Sequence, residues 1–222
     1  MKARLLLLAL IIILPLSITA AAQATPTLII SDGFSTFSVA DGSAGDFNPN
    51  AGQISAFGTV GNYTLSGFSA NYSLVGGNLT MNWSGSVAWN GAGPSNNLTI
   101  SFTETANLGF SNGNISSSGT QGTGGLVSGT ASGAFNTLPG TVFGGPLTFD
   151  TRPGSTNWST GQLFGETPNM TQIWATTTLT FYGAGSTNPT MSLNASVPEP
   201  SILLLLGFGL ASVGLIRARK GK

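Results

Sequence analysis

Glu104 is the carboxylate whose position most suggests chemistry. In the segment NNLTISFTETANLGF it shares the parity of the apolar residues and lies between Phe102 and Ala106. If this side chain is buried, its pKa rises, and raised pKa values are typical of functional acids. If the strand ends or bulges there, the acid faces water and has no such role. A glycosidase would also need a second carboxylate across a cleft, and the spacing of Asp150 and Glu166 pairs neither of them with Glu104.

Two further acids flank a glycine turn in the segment ADGSAGDFNPN. Asp41 and Asp46 carry oxygens of the kind that Ca²⁺ prefers. Two carboxylates fall short of the D-x-[DN]-x-[DN]-G pattern, which favours an ordinary polar loop. We therefore expect no metal at this turn, and no cofactor elsewhere in the chain.

Two aromatic residues lie on the polar side of a predicted strand. In TQIWATTTLTFYG, Trp174 and Tyr182 share the parity of the threonines, whereas the apolar residues occupy the other parity. Exposed aromatic rings can stack on sugars, so both are candidate sugar contacts. The alternative is that a neighbouring strand or loop covers this face. Trp83 and Trp89 fall on the apolar side of their own strand and are expected in the core.

Missing residue types exclude several kinds of site. The chain has no histidine and no cysteine, so catalytic triads that use these residues, zinc sites of the usual kind and disulfides are excluded. Every lysine is terminal, and between residues 25 and 196 one base, Arg152, stands against six acids, a formal charge of −5. A surface that binds nucleic-acid phosphates is therefore not expected. These absences favour a protein that is not an enzyme.

Alternation of apolar and polar residues recurs through the middle of the chain. Ten runs show it or read as strands between turn residues: 26–31, 34–39, 53–60, 63–75, 77–90, 96–110, 126–131, 141–149, 171–183 and 190–196. Many short alternating strands are typical of antiparallel sheets with one buried face. The pattern predicts an all-β domain, an antiparallel sandwich or jelly roll, with outer faces rich in Thr, Asn and Ser.

The segment SNGNISSSGTQGTGG, residues 111–125, has the lowest complexity of the chain. Its glycine and serine content predicts a flexible loop or an irregular edge. If it were a domain boundary, both sides would be short and alike in composition. We therefore predict one domain over residues 25–196 with a long loop inside it.

The N terminus has the layout of a secretory signal peptide over residues 1–24. Lys2 and Arg4 precede an apolar run, and small residues follow it. Ala22 and Ala24 are small enough for signal peptidase, which predicts cleavage after Ala24, or alternatively after Ala22. The other interpretation is an uncleaved N-terminal anchor.

The C terminus combines an apolar run with a basic tip. Residues 201–216 are apolar or small, and sixteen helical residues span about 24 Å, slightly less than a hydrocarbon core of about 30 Å. Basic residues follow at once and can reach the headgroups, which places the tip in the cytoplasm. The basic residues are Arg217, Arg219, Lys220 and Lys222. The pattern predicts a single transmembrane helix after the β domain.

Val197-Pro198-Glu199-Pro200 precedes this run, and its prolines keep the backbone extended, as suits a segment that enters an enzyme's groove. Together with the apolar run and the basic tip, residues 197–222 resemble the PEP-CTERM sorting signal of Gram-negative bacteria. The resemblance implies that exosortase, a transpeptidase-like membrane enzyme, cleaves near the motif and that the protein is then released or attached at the cell surface. It also implies hosts that make exopolysaccharide or biofilm. The alternative is a protein that stays anchored in the inner membrane.

Three functions are consistent with these features. The leading one is an exported structural or adhesive component of the cell surface or matrix, processed by signal peptidase and exosortase. The second is a carbohydrate-binding module for the host's own exopolysaccharide, with Trp174 and Tyr182 as contacts. The third is a glycosidase that depends on Glu104 and a partner acid.

Overall fold

The domain is built of β-strands throughout the part of the chain that can be described. The computed structural model describes residues 25–93, 95–124, 127–136, 147–150 and 157–197. Within these residues twelve strands follow one another in chain order: β1 (Thr27–Ser31), β2 (Thr36–Ala40), β3 (Gln53–Val60), β4 (Tyr63–Val75), β5 (Asn78–Trp89), β6 (Asn97–Phe110), β7 (Asn112–Gly124), β8 (Val127–Asn136), β9 (Leu147–Asp150), β10 (Asn157–Phe164), β11 (Thr167–Phe181) and β12 (Gly185–Ser196). The predicted all-β class is confirmed.

The strands form two antiparallel six-stranded sheets. Sheet A has the order β2-β1-β6-β11-β8-β9, and sheet B has the order β10-β7-β12-β5-β4-β3. The last eight strands pair as β5 with β12, β6 with β11, β7 with β10 and β8 with β9. This is the pairing of one long antiparallel hairpin wrapped onto itself, which is the jelly-roll arrangement. The first four strands extend the two sheets, β1 and β2 beside β6, and β3 and β4 beside β5.

Side chains of one parity from each sheet meet in a shared core. In β5 the inward residues Leu79, Met81, Trp83 and Val87 are all buried, as their alternation predicted. The Trp83 indole Nε1 donates a hydrogen bond to the backbone oxygen of Ala175 in sheet A, 3.2 Å away. This buried bond joins the two sheets directly. The structure is therefore a sandwich with its apolar faces inward.

An aromatic cluster closes one end of the core. The Tyr63 ring of sheet B lies 5.5 Å from the Phe181 ring of sheet A, and Trp89 lies 6.1 Å from Tyr63 and 6.0 Å from Phe181, centroid to centroid. These separations are typical of favourable ring pairs. Trp89 is half-buried and packs against the core rather than lying fully inside it.

The predicted loop over residues 111–125 is wrong, because residues 112–124 form β7 in the interior of sheet B between β10 and β12. Two glycines there lie opposite aromatic residues of β10, Gly113 opposite Phe164 and Gly119 opposite Trp158. A Cβ at either position would collide with the facing ring. The rings thus supply the apolar contact that the glycines lack. The same pairing accounts for β10, which the alternation pattern did not predict.

The long strands give the sandwich two distinct ends. At one end, here called the exit end, lie residues 75–78, residues 110–112, the last residue of β12, Ser196, and the following Val197. At the other end lie the turn at residues 33–35, the turn at residues 61–62 and residues 181–185. Because β4 runs from one end to the other over thirteen residues, the ends lie about 40 Å apart.

Both predicted targeting segments lie outside the described residues, the signal peptide at 1–24 and the sorting segment from residue 198 onward. The predicted transmembrane helix at 201–216 is among them. Over the described ranges the structure contains no helix that is long and apolar enough to cross a bilayer.

Candidate functional site

The folded domain extends to the edge of the predicted sorting motif. Ser196 pairs with Asn78 on one side and Asn112 on the other, so β12 remains in the interior of sheet B up to its last residue. Val197 is half-buried, and its N–H donates to the backbone oxygen of Gly77 at 2.7 Å. The next residue is Pro198. The chain therefore passes from a hydrogen-bonded strand into the predicted motif without an intervening linker.

The remaining residues of the predicted targeting sites cannot be placed. Three groups lie outside the described residues: the signal peptidase site (Ala22 and Ala24), the rest of the sorting motif (Pro198, Glu199 and Pro200) and the basic tip (Arg217, Arg219, Lys220 and Lys222). Their roles remain predictions.

Trp174 and Tyr182 lie on the outer face of sheet A, on the parity that the sequence indicated. Trp174 is half-buried, and its indole N–H is buried without a hydrogen-bond acceptor among the described residues. Tyr182 is 66% exposed and lies just beyond β11. Eight residues of extended chain separate the two rings by about 26 Å. The two rings cannot contact the same sugar ring, although one extended polysaccharide chain could contact both.

Between these two rings the hydroxyls of sheet A bond mainly to one another. Ser101 and Thr103 are buried although they belong to the outer parity. Four cross-strand bonds link β6 and β11: Thr180 to Asn97 at 2.8 Å, Thr178 with Thr99 at 3.1 Å, Thr176 with Ser101 at 2.9 Å, and Gln172 to Thr103 at 3.2 Å. This ladder stabilises the sheet. It leaves few hydroxyls of this face available to a ligand.

The outer face of sheet B is more open and carries a shallow groove. The strands β4, β5, β12 and β7 bring uncharged side chains into register across it. Three successive rows are Ser73, Thr80, Asn194 and Asn114, then Asn71, Asn82, Ser192 and Ser116, then Ser69, Ser84, Thr190 and Ser118. Sequence reasoning predicted a polar outer face but not this groove, because its residues come from four strands that are distant in the chain.

Two adjoining depressions make up the groove. One has a volume of about 550 Å³ and reaches from Asn78 to Leu163, and the other has about 430 Å³ and lies over Asn71, Asn82 and Ser116. The Oδ1 atom of Asn82 is buried there, and the described residues offer it no donor. Leaving a buried acceptor without a partner costs stability, so a ligand hydroxyl at this point would relieve that cost.

The sequence left open whether Glu104 is buried or faces water, and the structure shows that it is buried. Its side chain is 1% exposed, on the inward face of β6. Burial raises its pKa to about 7, the Thr105 N–H lowers that value in part, and the charge of Asp41 adds to the rise. The Thr105 contact falls short of a hydrogen bond, because neither carboxylate oxygen has a partner among the described residues. The raised pKa of Tyr72 is due first to burial and then to Glu104.

This geometry does not present Glu104 to a substrate. Its carboxylate lies between the sheets, whereas the groove lies on the outside of sheet B. Glu166 is exposed in the turn before β11, and the side chain of Asp150 is not described. The described residues thus show no pair of carboxylates facing one cleft.

The two acids of the glycine turn organise the loop between β2 and β3. The Asp46 carboxylate accepts backbone N–H groups from Asn48 at 2.8 Å, Ser55 at 2.9 Å and Gly42 at 3.0 Å, while Asp41 accepts that of Gly52 at 2.8 Å. Partial burial would raise the pKa of Asp46, but these bonds outweigh it and hold the pKa below its ordinary value. Within the described ranges no three acids, histidines or cysteines come together as a metal site.

Comparison with solved structures gives only weak likenesses. One is an enzymatically active domain of tailspike protein 4 of bacteriophage CBA120, with 10% identity and a TM-score of 0.35 over 61% of this chain and 19% of that one. Another is the CBM22-1 and GH10 modules of xylanase 10B of Clostridium thermocellum, with 10% identity and a TM-score of 0.32 over 53% of this chain and 22% of that one. The chain thus spans about a fifth of the length of these two proteins.

A third likeness is to the carbohydrate-binding module CsCBM6-3 of Clostridium stercorarium, with 18% identity and a TM-score of 0.27 over 63% of this chain and 89% of that one. Scores this low carry no argument about function. No curated protein sequence matches the chain.

The C terminus gives a definite match. Residues 196–220 fit the family model described as the PEP-CTERM protein-sorting motif. The matched range contains Pro198-Glu199-Pro200, the apolar run and most of the basic tip, so the resemblance seen in the sequence is confirmed. The chain carries a PEP-CTERM sorting motif directly after the last strand of its β-sandwich.

Proposed function

We propose that this chain is an exported, exosortase-processed protein whose mature sandwich is a non-catalytic component of the cell surface or extracellular matrix that binds neutral exopolysaccharide. The sorting motif at residues 196–220 supports the processing step. Signal peptidase removes residues 1–24 in this proposal, and exosortase cuts near residues 197–200 while residues 201–216 hold the chain in the inner membrane with the basic tip in the cytoplasm.

The groove of sheet B carries the binding part of the proposal. Its amides and hydroxyls both donate and accept hydrogen bonds, as sugar hydroxyls do. The described residues contain no lysine or arginine, so the described part of the groove offers no cation to an acidic polymer. Successive rows along a strand lie about 7 Å apart, and the groove therefore runs over several sugar units. The buried Asn82 Oδ1 without a donor is the single observation that most favours a ligand here.

A second contact is proposed on sheet A, around Trp174. Its buried indole N–H lacks an acceptor among the described residues, and a sugar hydroxyl can supply one while the ring stacks on the sugar face. Tyr182 remains a proposed contact at the far end of the same face. An extended polymer touching both rings would cross about 26 Å of the sheet.

Binding of the secreted mature protein to polysaccharide purified from its host tests both faces. Asn82→Ala removes a polar partner from the centre of the groove and should weaken binding up to about tenfold, since one neutral hydrogen bond contributes roughly 0.5–1.5 kcal/mol. Asn188→Ala is the matched control, because Asn188 lies exposed on the neighbouring strand β12, outside the groove. The contact on sheet A is tested in the same way, by comparing the binding of Trp174→Ala with that of the unchanged protein.

The outcomes separate the parts of the proposal. Equal binding by Asn82→Ala and the unchanged protein would exclude the groove, and equal binding by Trp174→Ala would exclude the sheet A contact. If the unchanged protein does not bind its host's polysaccharide at all, the binding function is wrong, whereas the sorting step is unaffected.

A further inference from the structure

Apolar side chains are exposed near the exit end of the sandwich. Val75 is 71% exposed and Leu74 is 41% exposed, both at the end of β4, and Leu163 of β10 is 80% exposed. Leu163 pairs with Asn114, one row inward from the row that contains Asn112 and Ser196. The three side chains, here called the apolar tip, therefore flank the last residues of β12 on both sides. Because three strands of sheet B separate β10 from β4, the tip places apolar side chains at two points about 19 Å apart at this end of the sheet.

The tip lies where the chain leaves the domain. Val197 donates its N–H to the oxygen of Gly77 in the turn that follows Val75. Val75 itself pairs with Asn78, which pairs with Ser196. The last described residue is thus fixed beside the tip by backbone hydrogen bonds.

The length of the following segment limits how far the tip can lie from a membrane. Four residues lead from Val197 to Ser201, the first residue of the apolar run. Even fully extended, four residues reach no more than about 14 Å. A domain tethered through this run is therefore held within about that distance of the headgroup region, with its exit end facing the bilayer.

The chemistry of the domain favours an apolar contact with lipid over an electrostatic one. The described residues include no lysine or arginine, so they offer no cation to anionic headgroups. Leucine and valine side chains gain free energy when they leave water for the boundary of the acyl chains. Contact through the apolar tip should consequently be insensitive to salt.

We propose that, before exosortase cleavage, the apolar tip of Leu74, Val75 and Leu163 rests in the surface of the lipid bilayer and orients the sandwich upright on its tether. The contact presents residues 197–200 at the membrane surface, where a membrane-embedded enzyme would meet them. The opposite end, with Phe34 and Tyr182, then points about 40 Å away from the membrane. This inference rests on the proposed membrane tether at residues 201–216.

The natural absence of cysteine makes a direct test possible. Single-cysteine variants of the full chain, labelled with an environment-sensitive fluorophore, are reconstituted in vesicles of phosphatidylethanolamine and phosphatidylglycerol. Val75→Cys reports on the tip. Phe34→Cys is the matched control, because Phe34 is an equally exposed apolar residue, 73% exposed, at the opposite end. Both positions are exposed, so neither substitution disturbs the core.

The proposal predicts a blue shift for the probe at Val75 and its quenching by headgroup-spin-labelled lipid, both unchanged at high salt, while the probe at Phe34 stays water-like. Resistance to alkaline extraction is measured on the same vesicles and on a chain that ends at Val197, so that resistance lost together with residues 198–222 establishes the tether independently. Water-like emission at Val75 in chains that resist extraction would overturn the tip contact and leave the tether intact. Release of the chains by alkali would overturn the tether and with it this inference.

Discussion

Replacing Glu104 by glutamine should change how the stability of the sandwich depends on pH. The carboxyl is buried, and its pKa is raised from 4.5 to about 7. An acid with a raised pKa in the folded state binds its proton more tightly there than in the unfolded chain. The folded state is therefore favoured below about pH 4.5, and that advantage is lost as the pH rises through about 7.

The size of the loss follows from the shift. At about 1.4 kcal/mol per pKa unit, the difference between 4.5 and about 7 corresponds to about 3 kcal/mol of unfolding free energy lost at alkaline pH. Glu104→Gln keeps the shape and stays neutral. The variant should match the natural protein near pH 4, apart from a constant offset, and exceed it by about 3 kcal/mol near pH 9.

Urea unfolding at a series of pH values between 4 and 9 measures this difference, with the midpoint and slope fitted at each pH. Glu166→Gln is the control, because the same chemical change is made at an exposed carboxyl. Its pH profile should follow that of the natural protein. A difference between Glu104→Gln and the natural protein that stays constant from pH 4 to 9 would refute the reasoning.

Three further substitutions test the fold. Asp46→Ala removes the acceptor of three backbone N–H groups and should cost about 2 kcal/mol of unfolding free energy, measured in urea at neutral pH. Because the pKa of Asp46 is lowered in the folded state, this cost should fade as the pH falls below about 4. A cost that stays the same at acid pH would contradict this prediction. Gly119→Ala places a Cβ against the Trp158 ring and should cost about 1–3 kcal/mol; a neutral effect would mean that the ring does not lie there. Trp83→Phe removes the bond to the Ala175 oxygen and should cost about 1 kcal/mol or more, and a stabilised variant would argue against that bond.

The regular part of the fold follows from local alternation. The runs 53–60 and 63–75 coincide with β3 and β4. The buried residues of β3 share one parity, whereas those of β4 change parity at the irregularity between Ser66 and Ser69. The same rule set Trp83 inward and Trp174 outward, as the structure has them. For Glu104 the parity left two alternatives, and only packing decided that the acid is buried.

The strand β7 could not be predicted in this way. Its segment has one large apolar residue, Ile115, among serines, threonines and glycines. Its order depends on partners distant in the sequence, such as the rings of β10 and the bond from the Ser117 hydroxyl to the Thr190 oxygen at 3.1 Å. The groove of sheet B escaped prediction for the same reason, since only the strand order places residues of β4, β5, β12 and β7 side by side.

The intact mass of the protein isolated from its native host tests the central claim, that this is an exported sandwich released from its sorting segment. The account predicts a mass that lacks residues 1–24 and everything beyond a cut near residues 197–200, with any surface attachment or glycan seen as added mass. A mass that retains residues 201–222 would contradict it, because the chain would then remain an anchored protein whose sorting motif is not cleaved.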